Sequence, residues 1–234
     1  HSVRNAIGTL TTMSETIAFH FDVMCPWAYQ TSLWIRDVRR QNGLQIDWRF
    51  FSLEEINREE GKKHPWERDW SYGWGMMRVA ALLRRTSMDH CDAFYAAAGH
   101  ALHVEGRKPH RPEVAAEIVE SIGLDPALVQ QAIDDPTTHD DVHADHDTVV
   151  AKGAFGVPTL VFDDGSTLYG PVLTPAVLGE DALELWDIVR RMRRFPHLYE
   201  IKRPKTEDDV RHIQQEFTPY LTGRDWESRE KPAR

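Results

Sequence analysis

Between Thr16 and Phe51 the sequence reads as strand, helix, strand, and Cys25-Pro26 occupies the first junction. Thr16 to Val23 alternates its side chains as a half-buried strand requires and is rich in aromatic and β-branched residues. Pro26 suits the first turn of a helix, where its missing N–H costs nothing. From Pro26 to Gln41 the residues Trp27, Trp34, Ile35 and Val38 recur at near-helical spacing, charged residues hold the other side, and Gly43 stops the run. Gln45 to Phe51 then alternates Ile46, Trp48 and Phe50 against Asp47 and Arg49. A βαβ unit of this length pairs its strands in parallel through a right-handed crossover.

From Ser52 to about Val150 no strand pattern appears. Glu54 to Tyr72 reads as a loop with short helical turns. Helices are expected over Met76 to Arg85, Asp89 to His103, Pro112 to Ser121, a short segment between Pro126 and Asp135, and Thr138 to Lys152. Strand character returns at Val157 to Phe162, turns at Asp163-Asp164-Gly165 and resumes at Thr167 to Tyr169, which predicts a hairpin. A last core helix spans Asp181 to Phe195. A further helix, Glu207 to Phe217, is introduced by Thr206 and Asp209 in a capping-box arrangement. Beyond Gly223 the chain is polar and expected to fray.

The expected architecture is α/β, with order βαβ, helical insertion, ββα. The corresponding division assigns 16–51 and 153–195 to a thioredoxin-like domain and 52–152 to the insertion. Residues 1–15 form an N-terminal extension, in which Met13 is a candidate start, and 196–234 form a C-terminal tail.

The formal net charge of −9 disfavours a nucleic-acid or anionic-membrane surface, both of which reward clustered Lys and Arg. The locally basic run Arg190 to Arg194 reads as a solvated helix end. No apolar run approaches a membrane span, and the amino end does not read as a secretory signal. Two cysteines in such a chain point to a reducing compartment, hence a cytoplasmic setting.

Cys25 is the leading chemical candidate. Just before Pro26 it faces the free N–H groups and positive dipole end of the predicted helix, which favour thiolate over thiol. This position favours a reactive sulfur over a small buried hydrophobe. Where a redox C-x-x-C would carry a second thiol, this chain has Ala28. Cys91 sits in a helical apolar pattern and reads as core filler. The run His139 to Asp147 places His139, His143 and His146 at metal-ligand spacing, yet it also fits a solvated acidic helix, so no metal site is assigned. Trp66, Trp70, Tyr72 and Trp74 either roof an apolar pocket or serve as core or dimer face.

Phe21 to Tyr29, together with Gly156-Val157-Pro158-Thr159 ahead of the third strand, resembles the DsbA-like thioredoxin-fold oxidoreductases. The closer likeness is to the actinobacterial mycothiol-dependent nitroreductase group of that family. It extends to Thr31-Ser32-Leu33-Trp34, Arg78-Val79-Ala80, His103 to Gly106, Tyr169 to Leu173 and Phe195-Pro196-His197. The resemblance implies that Cys25 is the nucleophile within the motif Pro26, Trp27, Ala28. It implies that Pro158 is a cis-proline opposite the sulfur, with the Val157 backbone binding substrate. Asn57 and His103 match pocket residues, although His103 reads equally well as a satisfied helix residue.

Ala28 departs from the C-P-W-C pattern, so the chain is either a natural monothiol member or carries a substitution there. The reaction implied is thiol-disulfide exchange through a mixed disulfide or adduct on one Cys, with no tightly bound cofactor. A mycothiol-like small thiol would be the co-substrate, a mycoredoxin-type protein the reductant, and a homodimer a possible assembly. The alternatives are transferase or isomerase chemistry like that of kappa-class glutathione transferases, or a binding module without catalysis.

Overall fold

One of the two inner strands of the sheet is the one that ends before Cys25. In the computed structural model, which describes residues 15–226, β1 (Thr16–Phe21) runs parallel to β2 (Gln45–Phe50) and antiparallel to β3 (Thr159–Phe162). β4 (Thr167–Tyr169) pairs antiparallel with β3, which gives the order β2-β1-β3-β4. The register sets Ile17, Phe19 and Phe21 beside Ile46, Trp48 and Phe50. Because alternate residues share a face, these rings meet across the strands, Phe19 and Trp48 at 5.0 Å and Phe21 and Phe50 at 5.6 Å. Expectations for residues 1–14 and 227–234 lie outside the described residues.

Helices pack on that aromatic face. α1 (Pro26–Asn42) joins β1 to β2 and ends on Gly43 at φ 77°, a left-handed stop that only glycine adopts freely. After the short α2 (Leu53–Ile56), a single 3-10 turn (Pro65–Glu67) and α3 (Tyr72–Thr86) comes α4 (Met88–His103), whose Tyr95 stacks on Phe21 at 3.8 Å. α5 (Pro112–Ser121), α6 (Ala127–Asp134) and α7 (Thr137–Val150) complete the stretch between β2 and β3. α8 (Glu180–Met192) sets Trp186 against Phe162 and near Trp34. The architecture is mixed α/β of the expected order.

α3 starts four residues earlier than its periodicity predicts, at Tyr72 instead of Met76. Gly73 and Gly75 weaken its first turn locally, but tertiary contacts override them. The Glu54 carboxylate accepts the Trp74 N–H at 2.9 Å and the Ser71 hydroxyl, placing negative charge at the helix start. Trp70 packs over Gly75, where a side chain would collide with its ring.

The acidic histidine run lies on α7 and ties this helix to its neighbours. Asp145 accepts from Phe50 N–H, at the edge strand, and from Arg49 and Arg84. His146 Nδ1 accepts from Ser52 N–H at 3.1 Å, and His139 Nδ1 accepts from Trp74 Nε1–H at 2.8 Å. His143 stands 3.3 Å from Asp147 and meets Trp66 edge-on. Among the described residues no group of His, Cys, Asp or Glu is arranged to hold a metal ion. No helix there is long and apolar enough to cross a membrane.

The tail departs from expectation. α9 (Glu207–Glu216) carries the Thr206–Asp209 capping box, and α10 (Thr218–Gly223) follows it. Beyond Gly223, Trp226 is half-buried against Tyr72 and His110 where fraying was expected. Arg193, inside the run that reads as a solvated helix end, instead reaches Glu15 and lies over the Phe162 ring.

Candidate active site around Cys25

Cys25 caps α1. Its backbone is extended at φ −86° and ψ 112°, and its Sγ accepts the Ala28 N–H at 3.4 Å, satisfying one of the orphan donors of the first turn. The Cys25 S–H donates to the Val157 carbonyl at 3.6 Å, across from the end of β3. The Val157–Pro158 peptide bond is cis, as are Gly170–Pro171 and Thr174–Pro175. The Thr31 hydroxyl reaches the Pro171 carbonyl at 2.8 Å, joining α1 to the segment after β4.

Cys25 is 7% exposed, and its burial works against a helix-stabilised thiolate. Burial pushes the Cys25 thiol up to about 12; the N–H groups of Ala28 and Trp27 act against that rise, and the Asp22 charge adds to it. Desolvation of the charged form outweighs the donors that the helix start supplies. In this arrangement the sulfur is a thiol.

Asp22 is a site residue that motif reading missed. It is fully buried, accepts Met24 N–H at 2.9 Å and Leu53 N–H at 2.8 Å, and so shapes the loop that presents Cys25. Burial raises its carboxyl to about 7, and the two N–H donors hold it down only in part. The available signal was a single acid inside the otherwise apolar run Phe21 to Met24. Gly73 packs directly on it, since a Cβ there would overlap the carboxylate and the Met24 sulfur.

His103 is buried on α4, and its Nε2–H donates to the Val23 carbonyl at 2.8 Å. Burial lowers its pKa to about 4, so the ring is neutral; its Nδ1 has no hydrogen-bond partner among the described residues. It stacks on Tyr29 at 5.0 Å. Trp27 is half-buried, and its ring lies edge-on to Phe217 at 4.8 Å. Ala28 is fully buried beside Cys25, in a cluster with Phe51, Val149, Ala154 and Val157 against which Leu53 and Ile56 pack.

Asn57 caps the end of α2 after Ile56. It is exposed, and its amide turns back to donate to Leu53 O at 2.9 Å, away from any contact with the sulfur. Tyr169 joins the site from β4: its ring lies tilted against Phe155 at 4.7 Å, and partial desolvation, with the Cys25 charge, raises its hydroxyl above the ordinary value. Cys91 is fully buried in the main core.

A Cys at a strand-to-helix junction, faced by the loop before an antiparallel strand, is the arrangement of the DsbA-like thioredoxin fold. The chain belongs to the Rv2466c-like family, described as mycothiol-dependent nitroreductase Rv2466c, whose model matches residues 24–203. It is 60% identical over 213 residues to the uncharacterized protein Rv2286c of Mycobacterium tuberculosis, covering 91% of this chain and 92% of that one. A 2-hydroxychromene-2-carboxylate isomerase of Sphingobium xenophagum is 24% identical over 178 residues, 65% of this chain and 91% of that one.

Among solved structures, a probable DsbA oxidoreductase of Streptomyces coelicolor superposes with a TM-score of 0.56 at 18% identity, covering 82% of this chain and 94% of that one. The cytosolic disulfide reductase DsbM of Pseudomonas aeruginosa gives 0.55 at 15% identity, over 76% of this chain and 99% of that one. These likenesses establish the fold.

Proposed function

We propose that the protein is a monothiol oxidoreductase in which Cys25 exchanges disulfides with a small thiol of the mycothiol type. The observation that carries this reading is the position of Cys25 Sγ at the α1 start, between the Ala28 N–H and the Val157 carbonyl. Burial is the chief cause of the raised thiol pKa. A bound substrate that opens the site therefore leaves the N–H donors to stabilise the thiolate. That thiolate attacks R–S–S–R′, forming Cys25–S–S–R and releasing R′–S⁻. A second small thiolate, R″–S⁻, attacks the sulfur bearing R, forming R–S–S–R″ and returning Cys25 as thiolate.

Trp27, His103 and the Val157-Pro158 backbone line the pocket, with Asn57 at its outer edge. Residues 16–51 and 153–195 are the thioredoxin-like body and 52–152 the insertion. A mycoredoxin-type protein regenerating the thiol, reduction of small molecules, a homodimer and a cytoplasmic setting belong to the same reading.

A second reading follows from the thiol state of Cys25. An S–H that already donates to a carbonyl can donate instead to a bound thiolate, as transferase or isomerase chemistry needs, with no disulfide on the protein. Intact mass after incubation with mycothiol disulfide or glutathione disulfide separates the two. One thiol added per chain, lost on adding free thiol and absent in Cys25→Ser, supports exchange. An unmodified Cys25 in a chain that still transfers thiol to an electrophile overturns it in favour of the second reading.

A further inference from the structure

The family match ends at residue 203, yet the segment that follows folds back over the candidate site. Phe217 meets Trp27 edge-on at 4.8 Å, and Tyr220 lies 5.3 Å from the His103 ring. Both are buried, at 8% and 7% exposure, and with Leu102 they form an apolar cluster of their own.

This docking is fixed at three points. Gly223 rests on the backbone of Gly106 and Arg107, where a Cβ would stand 2.8 Å from Arg107 O and 2.9 Å from Gly106 O. The Asp225 carboxylate is held by Lys108, by His110 Nε2 at 3.0 Å and by Arg111 at 3.0 Å. Trp226 packs on Tyr72 at 5.0 Å and on His110 at 5.1 Å.

We propose that Phe217 and Tyr220 are specificity-determining residues of the Cys25 site: they close its Trp27–His103 side, so that small disulfides and electrophiles enter and extended polypeptides do not. The inference rests on the reading of Cys25 as the reacting group. A polypeptide must lie on both sides of the sulfur to present its own sulfur at the centre. One side is the Val157-Pro158 loop, within hydrogen-bond reach of Sγ. The other is Trp27, whose ring edge is taken by Phe217. A small thiol conjugate needs only the immediate surroundings of the sulfur.

The test compares Cys25 labelling by N-ethylmaleimide and by a maleimide bearing a 2-kDa polyethylene glycol chain (a size of about 2 kDa being ample to sense the wall), read by intact mass. Wild type is compared with the Phe217→Ala/Tyr220→Ala double variant and with Gly223→Val, which must lift α10 because backbone atoms cannot make room for its side chain. Cys91, buried in the core, labels only if the fold is lost. The bulky-to-small rate ratio is expected to rise by about tenfold or more in both variants. A ratio unchanged within about twofold in either variant that keeps its circular dichroism and leaves Cys91 unlabelled overturns the inference. If the double variant does not fold, Gly223→Val decides. A ratio that rises while neither mycothiol disulfide nor glutathione disulfide gives an adduct with wild type upholds the wall and overturns the exchange reading instead.

Discussion

Cys25 Sγ lies 3.6 Å from the Val157 carbonyl oxygen and 3.4 Å from the Ala28 nitrogen. As a thiol it serves both, donating to the first and accepting from the second. As a thiolate it keeps the donor but turns a lone pair towards the carbonyl, against burial and the Asp22 charge. The alkylation rate of Cys25 should therefore climb from pH 7 to beyond pH 10 without levelling, since the thiol is pushed up to about 12. Asp22→Asn removes the opposing charge and should raise the rate at fixed alkaline pH by about threefold or more. A plateau below pH 9, or no gain in the variant, would refute the electrostatic account.

Asp22 also makes stability depend on pH. Its carboxyl is raised from 3.8 to about 7 in the folded protein, so the folded state holds the proton more tightly than the unfolded state. The associated stability is complete below about pH 3.8 and is lost as pH rises through 7, by roughly 4 kcal/mol in all. The urea unfolding free energy of wild type minus that of Asp22→Asn should fall by that order between pH 4 and pH 8, as the wild type alone loses its stabilising proton. A difference that stays flat across that window counts against the buried carboxyl.

His103 acts in the opposite direction. Burial lowers its pKa from 6.5 to about 4, so its contribution is present above pH 6.5 and is lost as pH falls through 4. The full loss is roughly 3 kcal/mol. His103→Gln keeps a donor for the Val23 carbonyl but cannot titrate. Its melting temperature should fall less than that of wild type between pH 7 and pH 4.5, as calorimetry would show.

Asp145, within the histidine run, anchors α7 to the sheet. Its carboxylate joins Arg49, Arg84 and the Phe50 N–H, holding α7 on the edge strand. Asp145→Ala takes one acceptor from Arg49, which keeps Asp47, one from Arg84, which keeps the Trp48 carbonyl, and the acceptor of the Phe50 N–H, and should cost about 1–3 kcal/mol. Arg84→Met in the same chain should recover part of that loss, because a cation without its carboxylate is gone. An Asp145→Ala variant within about 0.5 kcal/mol of wild type in urea would show that the link is idle.

What the sequence disclosed divides along physical lines. Alternation at Ile17, Phe19 and Phe21, the Cys25-Pro26 junction and the Thr206–Asp209 box are local patterns, and each appears where its period or cap chemistry puts it. The start of α3 was not legible because its cap is Glu54, distant in sequence. The thiol state of Cys25 was not legible either, since helix-end stabilisation is local while burial is a property of the whole packed site. The tail's role was not legible: the sequence predicts a helix as far as Phe217, and only the fold says that Phe217 and Tyr220 meet Trp27 and His103.

Two glycines separate strain from contact. Gly43 ends α1 at φ 77°, and a Cβ there would meet nothing within 4 Å, so Gly43→Ala costs only the strain of the left-handed backbone, about 1 kcal/mol. Gly73 has an ordinary helical backbone, but a methyl there must push aside Asp22 and Met24, whose Sδ accepts the Gly73 N–H at 3.0 Å. Overpacking of this kind costs about 1–3 kcal/mol. Because Asp22 organises the loop bearing Cys25, Gly73→Ala should also change the Cys25 alkylation rate, whereas Gly43→Ala should lower urea stability and leave that rate alone. Equal rates in both variants would show that the first turn of α3 has no hold on the sulfur.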